Sequence, residues 1–164
     1  MHYEFEFRGG LNNNYGFETE LGIVYEVKFR PSNYLFGDET TVYANHIYEF
    51  IIEIVYNPLG KNPPLDKLIS KTISEIIKDF YYKKDGSVCI YICDSSDGRQ
   101  ELRRRKFDDW FYSEEYGLIK IDEKIRDSKG NVYPISLIIQ RENPYFIEII
   151  DGFRKIAIEN NENK

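Results

Sequence analysis

Cysteine, histidine, methionine and tryptophan are all scarce: two Cys, two His, one Met and one Trp in 164 residues. Cys89 and Cys93 stand four apart in one apolar run. An extended strand would put both thiols on one face about 13 Å apart, too far for a disulfide. Buried, reduced thiols of a cytosolic protein are the expectation. His2 and His46 complete no Cys/His set with metal-site spacing, and no cofactor is expected. Long apolar runs are missing too. No stretch approaches the roughly 20 residues that cross a bilayer, and the longest candidates are broken by Glu49, Glu53 or lysines. The opening residues, Met1 to Phe7, alternate polar with apolar and lack the basic-then-hydrophobic order of a secretory leader. A cytoplasmic protein, neither exported nor inserted in a membrane, is expected. Positive charge is in deficit, with 22 Lys and Arg against 28 Asp and Glu, a net charge of −6. That disfavours nucleic acid or an anionic membrane as a partner of the whole molecule.

Aromatics, by contrast, are plentiful: 14 Tyr and 11 Phe. Most of them are needed to fill a core and cover sheet faces. Tyr3, Phe5 and Phe7 alternate with charged residues. A Gly-Gly-Leu-Asn-Asn-Asn turn follows, then a second alternating run from Phe17 to Phe29 and a third from His46 to Tyr56. Period two sustained over these runs predicts antiparallel strands with one wet face. After Pro63-Pro64 the period changes. Leu65, Leu68, Ile69, Ile73, Ile76, Ile77 and Phe80 form a helical stripe that stops at Asp85-Gly86. Val88 to Cys93 is apolar at every position, which predicts a central strand covered on both sides. A second helix is expected from about Asp97 to Ser113. A hairpin follows over Leu118–Ile125 and Val132–Gln140, and then a helix opened by Asn143-Pro144. The reading is one α+β domain over residues 1–158, a mainly antiparallel sheet in the order βββ-α-β-α-ββ-α, with helices packed on one face. Residues 159–164 form a frayed tail.

Residues 89–111 concentrate the chemistry. A buried strand runs into Asp94, Ser95, Ser96 and Asp97, then Gly98, Arg99 and Gln100, and then a helix. All four residues from Asp94 to Asp97 suit a helix N-cap, but a cap needs only one or two. At 100° per residue Gln100, Arg103, Phe107, Trp110 and Phe111 share one face. The aromatics bury that face, so Arg103 needs a carboxylate, with Asp94 or Asp97 nearest in sequence. Arg104, Arg105 and Lys106 point elsewhere, as a solvated charged face, with Arg104 in reach of Asp108 and Arg105 of Asp109.

The run Cys93-Asp94-Ser95-Ser96-Asp97-Gly98-Arg99-Gln100, followed by Arg103, Phe107 and Trp110-Phe111, resembles the signature of an uncharacterised family of small bacterial proteins of Bacteroidetes type. The resemblance extends over most of the chain, but only this stretch is specific. It implies a cytoplasmic bacterial protein and carries no known activity. Two functions from different classes fit the residues. In the first, a non-enzymatic binding module uses Asp94, Ser95, Ser96, Asp97, Arg99, Gln100 and Arg103 as a recognition corner for a protein partner or an anionic ligand. In the second, a metal-dependent enzyme acts on a phosphate ester or nucleic acid. There Asp94 and Asp97 hold the cation, Arg99 and Arg103 neutralise the phosphate, and Glu49 or Glu53 is a further carboxylate. A third reading needs no ligand: Asp94, Asp97, Gln100 and Arg103 form a polar network that fixes the corner.

Overall fold

The computed structural model describes residues 1–36, 41–93, 100–112 and 117–162, the side chains of 100, 110, 112 and 159–162 excepted. Seven strands form one sheet in the order β1-β2-β3-β4-β5-β7-β6. They are β1 (Phe5–Gly9), β2 (Asn14–Glu18), β3 (Val24–Pro31), β4 (Ile47–Tyr56), β5 (Val88–Ile92), β6 (Leu118–Arg126) and β7 (Val132–Gln140). Among the described residues there are three α-helices, α1 (Lys67–Lys83), α2 (Gln100–Tyr112) and α3 (Phe146–Glu162). The α+β class and the mainly antiparallel sheet are as the sequence predicts. Every strand pairing is antiparallel except β4 with β5, which α1 connects as a parallel crossover.

The alternating run over 17–29 folds back on itself. Gly22, at φ +75°, closes a hairpin in which the Thr19 amide donates to Ile23 O and the Gly22 amide donates to Thr19 O. That backbone angle costs glycine little. One long strand of the sequence reading is therefore β2 and β3, and the element order is otherwise as expected. The α1 stripe starts later than Leu65, which is 97% exposed. Asp66 caps the helix by accepting from the Leu68 amide at 2.8 Å, and it also accepts from the Tyr3 hydroxyl at 2.6 Å. Asn143 opens α3 in the same way, accepting from the Tyr145 amide at 2.9 Å.

Two cores lie on opposite sides of the sheet. On one side Ile69, Ile73, Ile76, Ile77 and Phe80 of α1 and Phe107 of α2 pack on Tyr15, Tyr25, Val27, Phe29, Tyr48, Phe50, Cys89 and Ile138. Each such apolar side chain contributes about 1.5–3 kcal/mol. On the other, Ile149 and Phe153 of α3 pack on Ile47, Val88, Ile90, Ile135, Leu137 and Ile139. The expectation of helices on one face therefore holds for α1 and α2 and fails for α3. The reason is the continuous apolar run of β5 and β7, which would leave Val88, Ile90, Leu137 and Ile139 wet unless a helix covered the second face. On that second face β3 and β4 carry charges instead, with Lys28 beside Glu26 and Glu53 and Arg30 beside Glu49. No described helix is long and apolar enough to cross a membrane.

Candidate binding corner at the end of β5

β5 is central, between β4 and β7, and its pairing with β7 runs one residue past the strand, where the Cys93 amide donates to Pro134 O at 3.0 Å. The chain re-enters as α2 at Gln100. Asp94, Ser95, Ser96, Asp97 and Arg99 lie outside the described residues, as do the side chains of Gln100 and Trp110. Phe107 is fully buried, its ring stacked on Tyr91 at 4.2 Å and tilted against Phe50 at 5.8 Å. Phe111 packs at the rim of the same core. Phe107 and Phe111 are thus on the buried side of α2, as expected. One turn earlier on that face, Arg103 is partly buried beside Tyr91 and Cys93. Its expected carboxylates, Asp94 and Asp97, are among the residues not described.

Of the α2 face expected to be solvated, Arg105 and Lys106 are exposed, and Arg104 meets Asp108 as expected but is partly buried in a larger network. Arg104 is 30% exposed and bridges two carboxylates, Glu101 and Asp108, each at 2.9 Å. Asp108 also meets Lys120 of β6 at 2.5 Å, and Lys120 meets Asp122 at 2.5 Å. The Ser136 hydroxyl of β7 donates to Asp122 at 2.7 Å. Lys124 stands 3.8 Å from Glu101 at the far end of the chain of charges. The cause is packing. The β6–β7 register puts Lys120, Asp122 and Lys124 on the same side of the sheet as Ile138, Ser136 and Pro134, and α2 lies across that side. Arg105 and Lys106 remain exposed.

Lys120 is the most constrained member, with a side chain that is 0% exposed. Burial alone would push its ammonium down, but hydrogen bonds to Asp108 and Asp122 more than offset this and hold it above the ordinary lysine value. Hydrogen bonding to Arg104 likewise holds Glu101 below the usual carboxylate range. Burial pushes the Cys93 thiol up to about 11, and the nearby Arg103 only partly opposes the rise. Tyr91 is raised for the same reason. Both cysteines are free and buried.

Glu49 and Glu53 do not join the corner. The β4–β5 register sets Glu49 level with Ile90, on the sheet face opposite α2, and alternation sends Glu53 the same way. Both are already paired, with Arg30 and Lys28. Among the described residues no three His, Cys, Asp or Glu side chains converge as metal ligands would. Lys120, Asp122 and Ser136 escaped the sequence reading. Their signal was present all the same: polar residues at alternate positions of adjacent strands on a side that a helix must cover. Elsewhere, a cleft of about 560 Å³ lined by His46, Asp85, Gly86, Gln140, Arg141 and Asn143 opens at the opposite end of β5.

A sequence model of a family of unknown function, DUF6169, matches residues 65–155, more than half of the chain. The chain belongs to the DUF6169 family. The match begins one residue before the cap of α1 and ends within α3. It thus takes in α1, β5, α2, β6 and β7 and leaves β1 to β4 outside. In DUF6169 terms, residues 94–103 and the charge network from Glu101 to Ser136 fall in the matched part, whereas Phe50, against which Phe107 of α2 packs, lies outside it. Comparison with curated proteins and with solved structures found no match.

Proposed function

We propose that this DUF6169 protein is a non-enzymatic binding module of the bacterial cytoplasm, whose recognition surface is the strand-to-helix corner from Asp94 to Arg103. The observation that carries the reading is the electrostatic state of the corner's walls. General acid–base and nucleophilic chemistry need groups poised near neutrality. Here Cys93 is driven up to about 11, Tyr91 is raised, and Lys120 is held charged between two acids. Each is pinned in its ordinary state. A closed network of this kind suits a rigid platform that holds the start of α2 at the end of β5. Four polar residues and two arginines at such a corner exceed what capping requires, and helix N-terminal amides with guanidinium groups favour acidic or phosphorylated groups.

The phosphoesterase alternative keeps Asp94, Asp97, Arg99 and Arg103 but loses Glu49 and Glu53, which face away and are paired. The test uses the intact protein as bait in a native lysate of its source, beside an Arg99→Ala, Arg103→Ala variant of matched melting temperature. The module reading predicts that a defined partner or ligand is retained by the wild type and lost by the variant. If both baits retain the same set, the corner is not the recognition surface. Mg²⁺ or Mn²⁺ raising the melting temperature of the wild type but not of Asp97→Asn would favour the enzyme instead.

A further inference from the structure

β6 is the last strand of the sheet, and among the described residues no strand lies beyond it. The ladder to β7 fixes which way its backbone groups point. The Asp127 amide donates to Asn131 O and the Arg141 amide to Gly117 O, so odd-numbered residues of β6 bond to β7. Even-numbered residues, with Asp122 central among them, turn their N–H and C=O outward. A long edge of this kind is a template for another strand. Its charges limit which one. If two copies meet antiparallel, even-numbered residues must face even-numbered ones, and one residue sits on the two-fold axis. Lys120, Asp122, Glu123 or Lys124 there would face its own copy, charge against like charge. Residues nearer the ends give only a short overlap. Ile121 remains. With Ile121 on the axis, Leu118–Lys124 pairs with itself, no like charges stand opposite, and Lys120 faces Asp122 twice.

The helix beside this edge is self-complementary as well. Ile149, Phe153 and Ala157 of α3 face the core. A Cβ on Gly152 would meet the Phe36 ring at 3.0 Å and the Tyr43 hydroxyl at 3.1 Å, so that flank faces the connection from β3 to β4. At 100° per residue Ile147, Asp151, Arg154 and Ile158 fall on the other flank, towards β6. Ile147 and Ile158 are 70% and 56% exposed, and Asp151 and Arg154 are exposed too. Laid antiparallel on its own copy, this stripe sets Ile147 against Ile158 and Asp151 against Arg154. The two centres also agree in height. The middle of the stripe lies roughly 10 Å from the start of α3, which follows the Gln140 end of β7. Ile121 lies roughly 10 Å from Leu118, the partner of Gln140.

We infer that two copies of this chain join through β6 and α3 about a two-fold axis at Ile121, so that one sheet continues into the other. The contact is isologous, each copy giving the same patch. On the α3 side the partly buried row of Ile119, Ile121 and Ile125 is closed by the second copy. On the α2 side Asp122, 43% exposed in one chain, is covered and stands opposite Lys120 of the second copy. The inference goes beyond the corner and does not rest on it. The axis turns the two corners to opposite ends of the joint sheet, which makes the module bivalent.

Sedimentation of the full chain from micromolar to millimolar concentration tests it, and a monomer–dimer equilibrium is expected. Asp151→Arg sets Arg against Arg154 of the second copy and should weaken dimerisation at least about tenfold. Adding Arg154→Asp restores the opposition of charges and should return the affinity to near the wild-type value. Both positions are exposed, so the fold of a single chain is kept. Amide exchange reads the strand joint. The Asp122 amide should exchange quickly in the monomer and slowly in the dimer, while the Ile121 amide, bonded to β7, is slow in both. Four results overturn the inference: a monomer at every concentration, a dimer indifferent to Asp151→Arg, a double variant no tighter than the single one, or Asp122 exchange that is the same in monomer and dimer.

Discussion

Replacing Lys120 with methionine keeps the aliphatic stem and removes only the ammonium. The structure then leaves Asp108 and Asp122 facing each other without their common cation. Breaking a buried pair by deleting one member costs about 3–5 kcal/mol. Two features place Lys120→Met at the lower end. Asp108 keeps Arg104 at 2.9 Å, and Asp122 keeps the Ser136 hydroxyl at 2.7 Å. Asp122 is also 43% exposed, so solvent screens that arm of the pair. A loss of about 3 kcal/mol is expected, which for a chain of this size lowers Tm by about 6–12 °C. Urea denaturation measures it. Adding Asp108→Asn should restore at least about 1 kcal/mol, because the stranded charge is then gone. The pH dependence has a definite sign. The folded pKa of Lys120 lies above its ordinary value of 10.5. Its contribution is therefore complete at neutral pH and is lost only as pH rises through that raised value. The gap between wild type and Lys120→Met should stay flat across neutrality and narrow in alkali. A loss below about 1 kcal/mol, or strict additivity with Asp108→Asn, would refute the network as a structural element.

Arg104→Ala should cost about 1–2 kcal/mol in thermal melts, and Arg105→Ala, exposed on the next position, under about 0.5 kcal/mol. Phe107→Ala should cost about 3–5 kcal/mol and loosen α2, seen as lost near-ultraviolet dichroism of the Tyr91 environment. Cys89 and Cys93 should resist thiol reagents in the folded protein and react fully in denaturant, since burial pushes them up to about 12 and about 11. The β6–β7 turn should open in acid. Asp127 is held down at about 2 by hydrogen bonds from the Asn131 side chain and amide, the Tyr133 hydroxyl and the Lys129 amide. Its depressed pKa makes that stabilisation present above the ordinary value of 3.8 and lost as pH falls through about 2, readable from the Asn131 amide resonances.

Much of the architecture was legible because local patterns and packing agree. The α1 stripe, the all-apolar β5 and the Asn143 cap each have one physical reading, and Ile73, Val88, Ile149 and Phe153 are all fully buried. The hairpin at Gly22 was missed because alternation continues in phase through it, so period alone could not show the reversal. The side chosen by α3 was missed for a different reason. A helix stripe says that a face is buried, not which face of the sheet buries it. The Arg104–Asp108 pair was legible from its spacing of four, whereas the burial of that pair was not, because Lys120, which meets Asp108, lies twelve residues further along and is aligned only by the β6–β7 register. Arg103, by contrast, was placed by the phase of Phe107 on its own helix, which needs no distant strand.

The central claim is that recognition happens at the corner between β5 and α2. Hydrogen–deuterium exchange of the full chain, alone and with a partner captured from its native source, tests it most directly. The account predicts new protection concentrated in the peptides spanning Cys93 to Arg103. Protection confined to the cleft at His46, Asp85 and Arg141, with the corner unchanged, would contradict it.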